Sequence, residues 1–384
     1  MDFTKLTDYL DSLHKVGIPG CHVCVWQDHK PVYEHITGYC DEKLTEPMKG
    51  NEVYWLYSVS KLYLAVSIMR LKEAGKLSLE DPVAKYLPAY EKITVREGEN
   101  IVPARAPITI RQLLAMQSGM DYLLDTPGIT GVLKRNNGHG TTRELVDGMA
   151  EDPLNFHPGD HYSYSLSHDV LGAVVEVVSG MPLGEYYAKN IFEPLDMPTM
   201  SFKMTAEKRA RLAARFEYND ENHTSRPVER DGCAYVLSPE YESAGAGLIG
   251  DVADYMKFAD ALANDGVGAN GYRLISRESI DEMRTNELKG PWSDFCDRHV
   301  VRAGYGYGLG VATMMDPVAG ASLFGTARSP VGQFSWDSAA GAWVMVDVEN
   351  KLCAFYAQHV LKCHYSYDVI HPAVRDLIYD GLSE

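Results

Sequence analysis

The chain has 384 residues, 45% hydrophobic and 23% charged, enough for a large core and two or three lobes. Lys plus Arg is 36 against 53 for Asp plus Glu, a formal charge of −17 with no basic cluster to interrupt it. That balance argues against a nucleic-acid partner or a polybasic membrane partner. Residues 1–7 lack the pattern of a signal peptide, and the apolar run from Leu62 to Met69 is too short to span a bilayer. The seven cysteines are scattered and odd in number, so free thiols in a cytoplasmic protein are expected.

In chain order, the spacing of Phe3, Leu6, Leu10 and Leu13 predicts a helix over 2–16, stopped by Gly17-Ile-Pro-Gly20. Two strands follow, Cys21–Trp26 and Val32–Thr37, across Asp28-His-Lys30. From Ser58 onward, some 130 residues read mainly as helix. The first of these helices, Ser58 to Ala74, is apolar on more than one face and is therefore expected to be buried. Thr109-Ile-Arg-Gln112 reads as a capping box for a helix that closes at Gly119. Further helices are predicted over Val170–Val178, Leu183–Phe192 and after Asp251. Strands return at Gly304–Met314, Trp343–Val348 and Leu352–Gln358, and a last helix covers Ala373–Tyr379. Strands at both ends with helices between them predict an α/β lobe from 1–57 and 240–384 and a helical lobe from 58–239.

Several motifs resolve to plain readings. Cys21 and Cys24 are three apart in a strand, so they face opposite sides and pack in the core rather than share a metal. Gly245-Ala-Gly-Leu-Ile-Gly250 matches a dinucleotide fingerprint, but no buried strand precedes it, so it reads as a tight turn. His157 and His161 are separated by Pro158-Gly159 and cannot share a helix face. No serine has glycine two before and two after it, so the α/β-hydrolase elbow is absent.

One constellation has chemical logic. Ser58-Val-Ser-Lys61 puts a hydroxyl and an amine on one face at a helix start. There the Ser58 N–H is an orphan donor for an oxyanion, and the helix field favours developing negative charge. Lys61 can accept the hydroxyl proton if burial among apolar neighbours lowers its pKa.

With these residues in view the sequence resembles the serine β-lactamase and penicillin-binding-protein superfamily, in its class C-like branch with the family VIII carboxylesterases. The matching blocks run in order along nearly the whole chain. They are Tyr54-Trp-Leu-Tyr-Ser58-Val-Ser-Lys61, Gly75 to Pro88, Pro107 to Gly119, His157-Pro-Gly-Asp-His-Tyr-Ser-Tyr164-Ser-Leu166 and Ala244 to Leu248. The resemblance implies a β-lactamase-like α/β fold, an antiparallel sheet flanked by helices with an inserted helical lobe. It implies Ser58 as the nucleophile, with Lys61 and Tyr164 sharing base work and Tyr164 returning a proton to the leaving group. No metal or organic cofactor is implied.

The departures bear on substrate. Class C enzymes carry Tyr-x-Asn, whereas position 166 is Leu, as some family VIII esterases tolerate. The Lys-Thr-Gly strand motif maps to Trp336-Asp-Ser338 before Ala339, so a cation for a β-lactam carboxylate is missing there. Trp336 fits the Trp-Gly-Gly of some esterases, and Asp337-Ser338 do not. Ala339 is then the second oxyanion donor, and Tyr122 lines the site. A small-molecule acyl substrate, neutral or cationic, is expected, although Arg328 lies near in sequence. Hydrolysis of small carboxylic esters ranks first. β-Lactam or D-amino-acid peptide hydrolysis and acyl transfer to an alcohol or amine remain open, as does a catalytically dead binding module.

Overall fold

The computed structural model describes residues 1–288 and 303–383; Cys296, one of the seven thiols, lies outside the described residues. Helix α1 (Thr4–Ser12) leads to a hairpin of β1 (Gly20–Gln27) and β2 (Lys30–Gly38), whose turn residues Asp28 and His29 both have positive φ. After β3 (Val53–Trp55), a 3₁₀ turn over Tyr57–Ser60 runs directly into α2 (Lys61–Glu73). All residues of α2 up to Met69 are buried, as its apolar sequence predicts.

The stretch expected to be helical holds two strand pairs as well as helices. The strands β4 (Thr94–Glu97) and β5 (Asn100–Pro103) precede α3 (Ile110–Leu114), α4 (Pro127–Arg135), α5 (Thr142–Met149), α6 (Ser167–Ser179), α7 (Leu183–Tyr187) and α8 (Ala206–Arg211). A second hairpin, β6 (Arg215–Asn219) and β7 (Thr224–Val228), follows. Strands of four or five residues are too short for a two-residue period to stand out. The capping box at Thr109 and Gln112 is present. Its helix stops at Leu114, however, because Met116 turns to φ +55° ahead of Gly119. Gly180 ends α6 in the left-handed region, where only glycine is free of a Cβ penalty.

The strand β8 (Ile249–Asp251) pairs with β3, and Asp251 caps α9 (Val252–Ala263), which is followed by α10 (Arg277–Met283). The remaining elements are β9 (Tyr305–Tyr307), β10 (Ala312–Met314), β11 (Phe334–Asp337), β12 (Trp343–Asp347), β13 (Leu352–Ala357), β14 (Val360–Leu361) and α11 (His371–Ser383). The last helix starts two residues earlier than expected, because it continues directly from a π-helical turn over Ser366–Ile370.

Seven strands form one antiparallel sheet in the order β2-β1-β13-β12-β11-β10-β9, so the chain's first strands pair with one of its last. Side chains alternate across it. Cys21, Val23, Trp343, Met345 and Tyr356 pack on one face with Leu6 and Leu10 of α1 and Val374 and Leu377 of α11. Cys24, Phe334, Trp336, Val344 and Phe355 pack on the other with Leu62 and Val66 of α2 and Phe258 of α9. Cys21 and Cys24 thus lie in different cores, as their spacing requires. This second face brings β11 against the Tyr57–Ser60 turn.

Candidate active site

The turn carrying Ser58 is entered through Tyr57 at φ +49°, a conformation that costs a non-glycine residue about 1–3 kcal/mol. Its surroundings hold it there. Arg215 Nη1 donates to the Tyr57 hydroxyl at 2.7 Å, the Tyr57 ring packs edge-on against Tyr235, and Leu56 N–H donates to Leu248 O at 2.9 Å. The backbone therefore presents Ser58 at the start of α2 with 9% of its surface exposed.

Lys61 follows one turn on and is fully buried. Its Nζ donates to Gly245 O at 2.8 Å, to the Tyr122 hydroxyl at 3.2 Å and to Ser58 Oγ at 3.3 Å, and it lies 4.7 Å from the centroid of the Tyr164 ring. Burial brings the amine down to about 7 from its ordinary value of 10.5, and the charge of Asp169 opposes the fall. Near neutral pH the amine is thus a mixture of acid and free base.

Three aromatic side chains wall the pair. Tyr122 and Tyr164 stack at 5.1 Å and 18°, and Trp336 on β11 donates from Nε1 to the Tyr164 hydroxyl at 3.4 Å. Burial, aided by Tyr164 and Asp169, raises the Tyr122 phenol well above its ordinary value, with a hydrogen bond involving Ser58 acting against it. A phenol so raised keeps its proton at neutral pH, and its oxygen accepts from the Lys61 amine at 3.2 Å. Tyr122 was expected only to line the site, yet its hydroxyl is within hydrogen-bond reach of Lys61.

Ala339 lies in the turn between β11 and β12 and packs in the same apolar cluster as Tyr57, the neighbour of Ser58. Ser338 N–H bonds to Ala342 O, the Tyr367 hydroxyl donates to Ser338 O at 2.9 Å, and His371 Nε2 lies 3.0 Å from Gly341 O, which fixes this turn. Asp337 points to the other side of the sheet, into a cavity of about 270 Å³ with His371 and Arg375. Leu166 is buried and borders a separate cavity of about 280 Å³ with Met120, Leu123 and Ile129, which Ser58 and Lys61 do not line. Arg328 is held by Asp380, 3.0 Å from its Nε, and donates to the carbonyls of Thr326 and Phe324. That cation is committed elsewhere.

One residue at the site escaped the sequence reading. Asp169 is buried in α6 and accepts from Ser243 Oγ at 2.7 Å. A Cβ added to Gly245 would sit 2.6 Å from Asp169 Oδ2 and 3.3 Å from Lys61 Nζ. The absence of a side chain at Gly245 therefore leaves the carboxylate and the amine facing one another across it. The available signal was a carboxylate five residues after Tyr164, inside an apolar helix.

A sequence model of the family described as Beta-lactamase matches residues 6–362. The chain belongs to the β-lactamase family. It is 28% identical over 379 residues to esterase EstB of Burkholderia gladioli, covering 90% of this chain and 88% of EstB. It is 26% identical to the acyltransferase calJ of Penicillium decumbens, covering 85% and 80%. Among solved structures it is similar to EstCE1, described as a hydrolase with promiscuous acyltransferase activity, with a TM-score of 0.78, 24% identity and 98% of each chain covered. The fold is accordingly the β-lactamase-like one, in a family of serine hydrolases with esterase and acyltransferase members. Among the described residues no helix is long and apolar enough to cross a membrane. Also among them, the group with metal-ligand geometry is His22, Cys24 and Glu34, on the outer hairpin.

Proposed function

We propose that this chain hydrolyses small carboxylic esters through an acyl-enzyme on Ser58. The observation that carries the reading is the buried Lys61 amine, lowered to about 7 and 3.3 Å from Ser58 Oγ. A lysine at its ordinary pKa is almost wholly protonated at neutral pH and cannot take a proton. This one, brought down by burial, is free base in a substantial share of the molecules near neutral pH.

The Ser58 hydroxyl gives its proton to Lys61 Nζ as Oγ bonds to the acyl carbon. The Ser58 N–H and the Ala339 N–H receive the charge on the carbonyl oxygen. The carbon–oxygen bond to the alcohol then breaks, and the leaving oxygen takes a proton from a tyrosine hydroxyl, which Lys61 restores. Tyr164, oriented by Trp336, serves that step, and Tyr122 joins it as a second hydroxyl in contact with Lys61. Water, deprotonated along the same path, releases the acid and regenerates Ser58.

Trp336, beside Tyr164, favours esters over β-lactams, because an indole offers no cation to a β-lactam carboxylate. The likeness to esterase EstB supports the same ranking. Acyl transfer to an alcohol or amine is the second reading, supported by the likeness to the acyltransferase calJ and served by the same residues.

Exposure to a fluorophosphonate followed by intact-mass measurement tests the nucleophile. A single adduct is expected on the wild type and none on Ser58→Ala; an equal adduct on both removes Ser58 from the mechanism. Faster turnover of nitrocefin than of p-nitrophenyl acetate or butyrate would reverse the substrate ranking. Product partition with added alcohols separates hydrolase from transferase.

A further inference from the structure

Three metal-ligating side chains converge on the β1–β2 hairpin, outside the Ser58 site. His22 and Cys24 are two residues apart on β1 and so share a face, and the strand register sets Glu34 of the edge strand β2 directly opposite Cys24. Two adjacent strands thus supply three ligands without any loop. His22 Nε2 is 2.9 Å from Glu34 Oε1 and 3.3 Å from Cys24 Sγ, and the three donor atoms all lie within 4.8 Å of one another. His22 and Cys24 are buried, while the Glu34 side chain is 57% exposed and leaves the cluster open on that side.

Glu34 Oε1 and Cys24 Sγ both lie within hydrogen-bond reach of His22 Nε2. A divalent cation seated among the three would accept an electron pair from each of them. Burial opposes positive charge there, and neighbouring carboxylates offset part of that cost. Buried Glu52 accepts from the Lys49 and Gly50 N–H groups, and its charge reaches His22 along with those of Glu34 and Asp251. Cysteine binds such an ion as the thiolate, so metal uptake releases a proton.

We propose that His22, Cys24 and Glu34 bind a divalent cation of the zinc class, with a fourth position open to solvent beside Glu34. Sulfur, imidazole and carboxylate together are the donor set of tetrahedral zinc, and an oxygen-seeking ion such as magnesium or calcium is a poor match. Cys21, on the opposite face, takes no part. Bound there, the ion clips the edge strand β2 to β1 through side chains.

Cobalt(II) is the probe, since a thiolate bound to it gives a charge-transfer absorption in the near ultraviolet. Titrated into the chelator-treated full chain, it is expected to give that absorption with an endpoint at one equivalent, reversed by added zinc. Cys24→Ser should abolish the absorption while leaving ester turnover unchanged. Glu34 is exposed, so Glu34→Gln keeps the fold and should weaken cobalt binding by about tenfold or more. Circular dichroism establishes that both variants are folded. No absorption in the wild type overturns the site. So does an absorption that survives Cys24→Ser, or an affinity untouched by Glu34→Gln.

Discussion

The Lys61 amine and the Tyr122 hydroxyl stand 3.2 Å apart with their proton affinities displaced in opposite directions. Burial disfavours charge on both, lowering the amine to about 7 and raising the phenol well above its ordinary value. The resting pair is therefore a phenol beside an amine that is partly free base, rather than a phenolate beside an ammonium. On the proposed mechanism Lys61 takes the Ser58 proton, and Tyr122 keeps its own proton while standing in contact with that amine.

Tyr122→Phe is expected to lower kcat by about a hundredfold or more with little change in KM, within the range for loss of a proton-transfer group. Tyr164→Phe should do the same. Steady-state kinetics on a p-nitrophenyl ester reads both. Wild-type kcat in Tyr122→Phe, with loss confined to Tyr164→Phe, would place proton return on Tyr164 alone.

The kcat/KM profile should rise with pH and level off above an apparent pKa of about 7, because only the free base of Lys61 accepts the Ser58 proton. Asp169 holds that pKa up, so Asp169→Asn is expected to move the rising limb to lower pH. A limb that stays in place, or moves upward, would show that Asp169 does not act on Lys61 through its charge.

Lys61→Met should abolish turnover and yet stabilise the fold. The folded amine loses its proton near pH 7 and the unfolded one near 10.4, so between these values the unfolded chain binds the extra proton. Stability then rises with pH through that window, and the penalty is greatest below pH 7. Methionine removes the penalty but leaves Gly245 O without its donor and Asp169 without its cation, for a net gain of about 1 kcal/mol at pH 7. Thermal melts at pH 7 decide this; a lower melting temperature for Lys61→Met would refute it.

Gly245→Ala should damage activity and stability together. The added methyl would lie 2.6 Å from Asp169 Oδ2 and 3.3 Å from Lys61 Nζ, and both partners are buried and have little room to retreat. A cost of about 1–3 kcal/mol is expected, as for overpacking elsewhere. Gly247→Ala, where the nearest contact would be 3.0 Å, is the milder control. Equal effects of the two would show that the gap between Lys61 and Asp169 is not what Gly245 protects.

Much of the fold was legible because it rests on local rules. The alternation in β1 sent Cys21 and Cys24 into separate cores, Thr109 and Gln112 formed their capping box, and the apolar α2 was buried. The helix after Thr109 ended early because Met116 adopts φ +55°, a choice that local propensity does not encode. The strands β4 to β7 were too short for their period to register against helical neighbours.

Sequence alone determined that Ser58 and Lys61 meet, since they are one helical turn apart and any helix starting there brings them together. It also determined that Lys61 lies among apolar residues. What only tertiary structure decided is every relationship across the chain. Tyr122, 61 residues from Lys61, reaches its amine; Gly245, 184 residues away, supplies the carbonyl that holds it. Asp169 faces it because a glycine stands between them, and Glu34 meets His22 and Cys24 because the hairpin register puts it there. Periodicity fixes which face a side chain takes on its own helix or strand, while the packing of distant segments decides which other side chains it meets, and those contacts set its pKa and its partners.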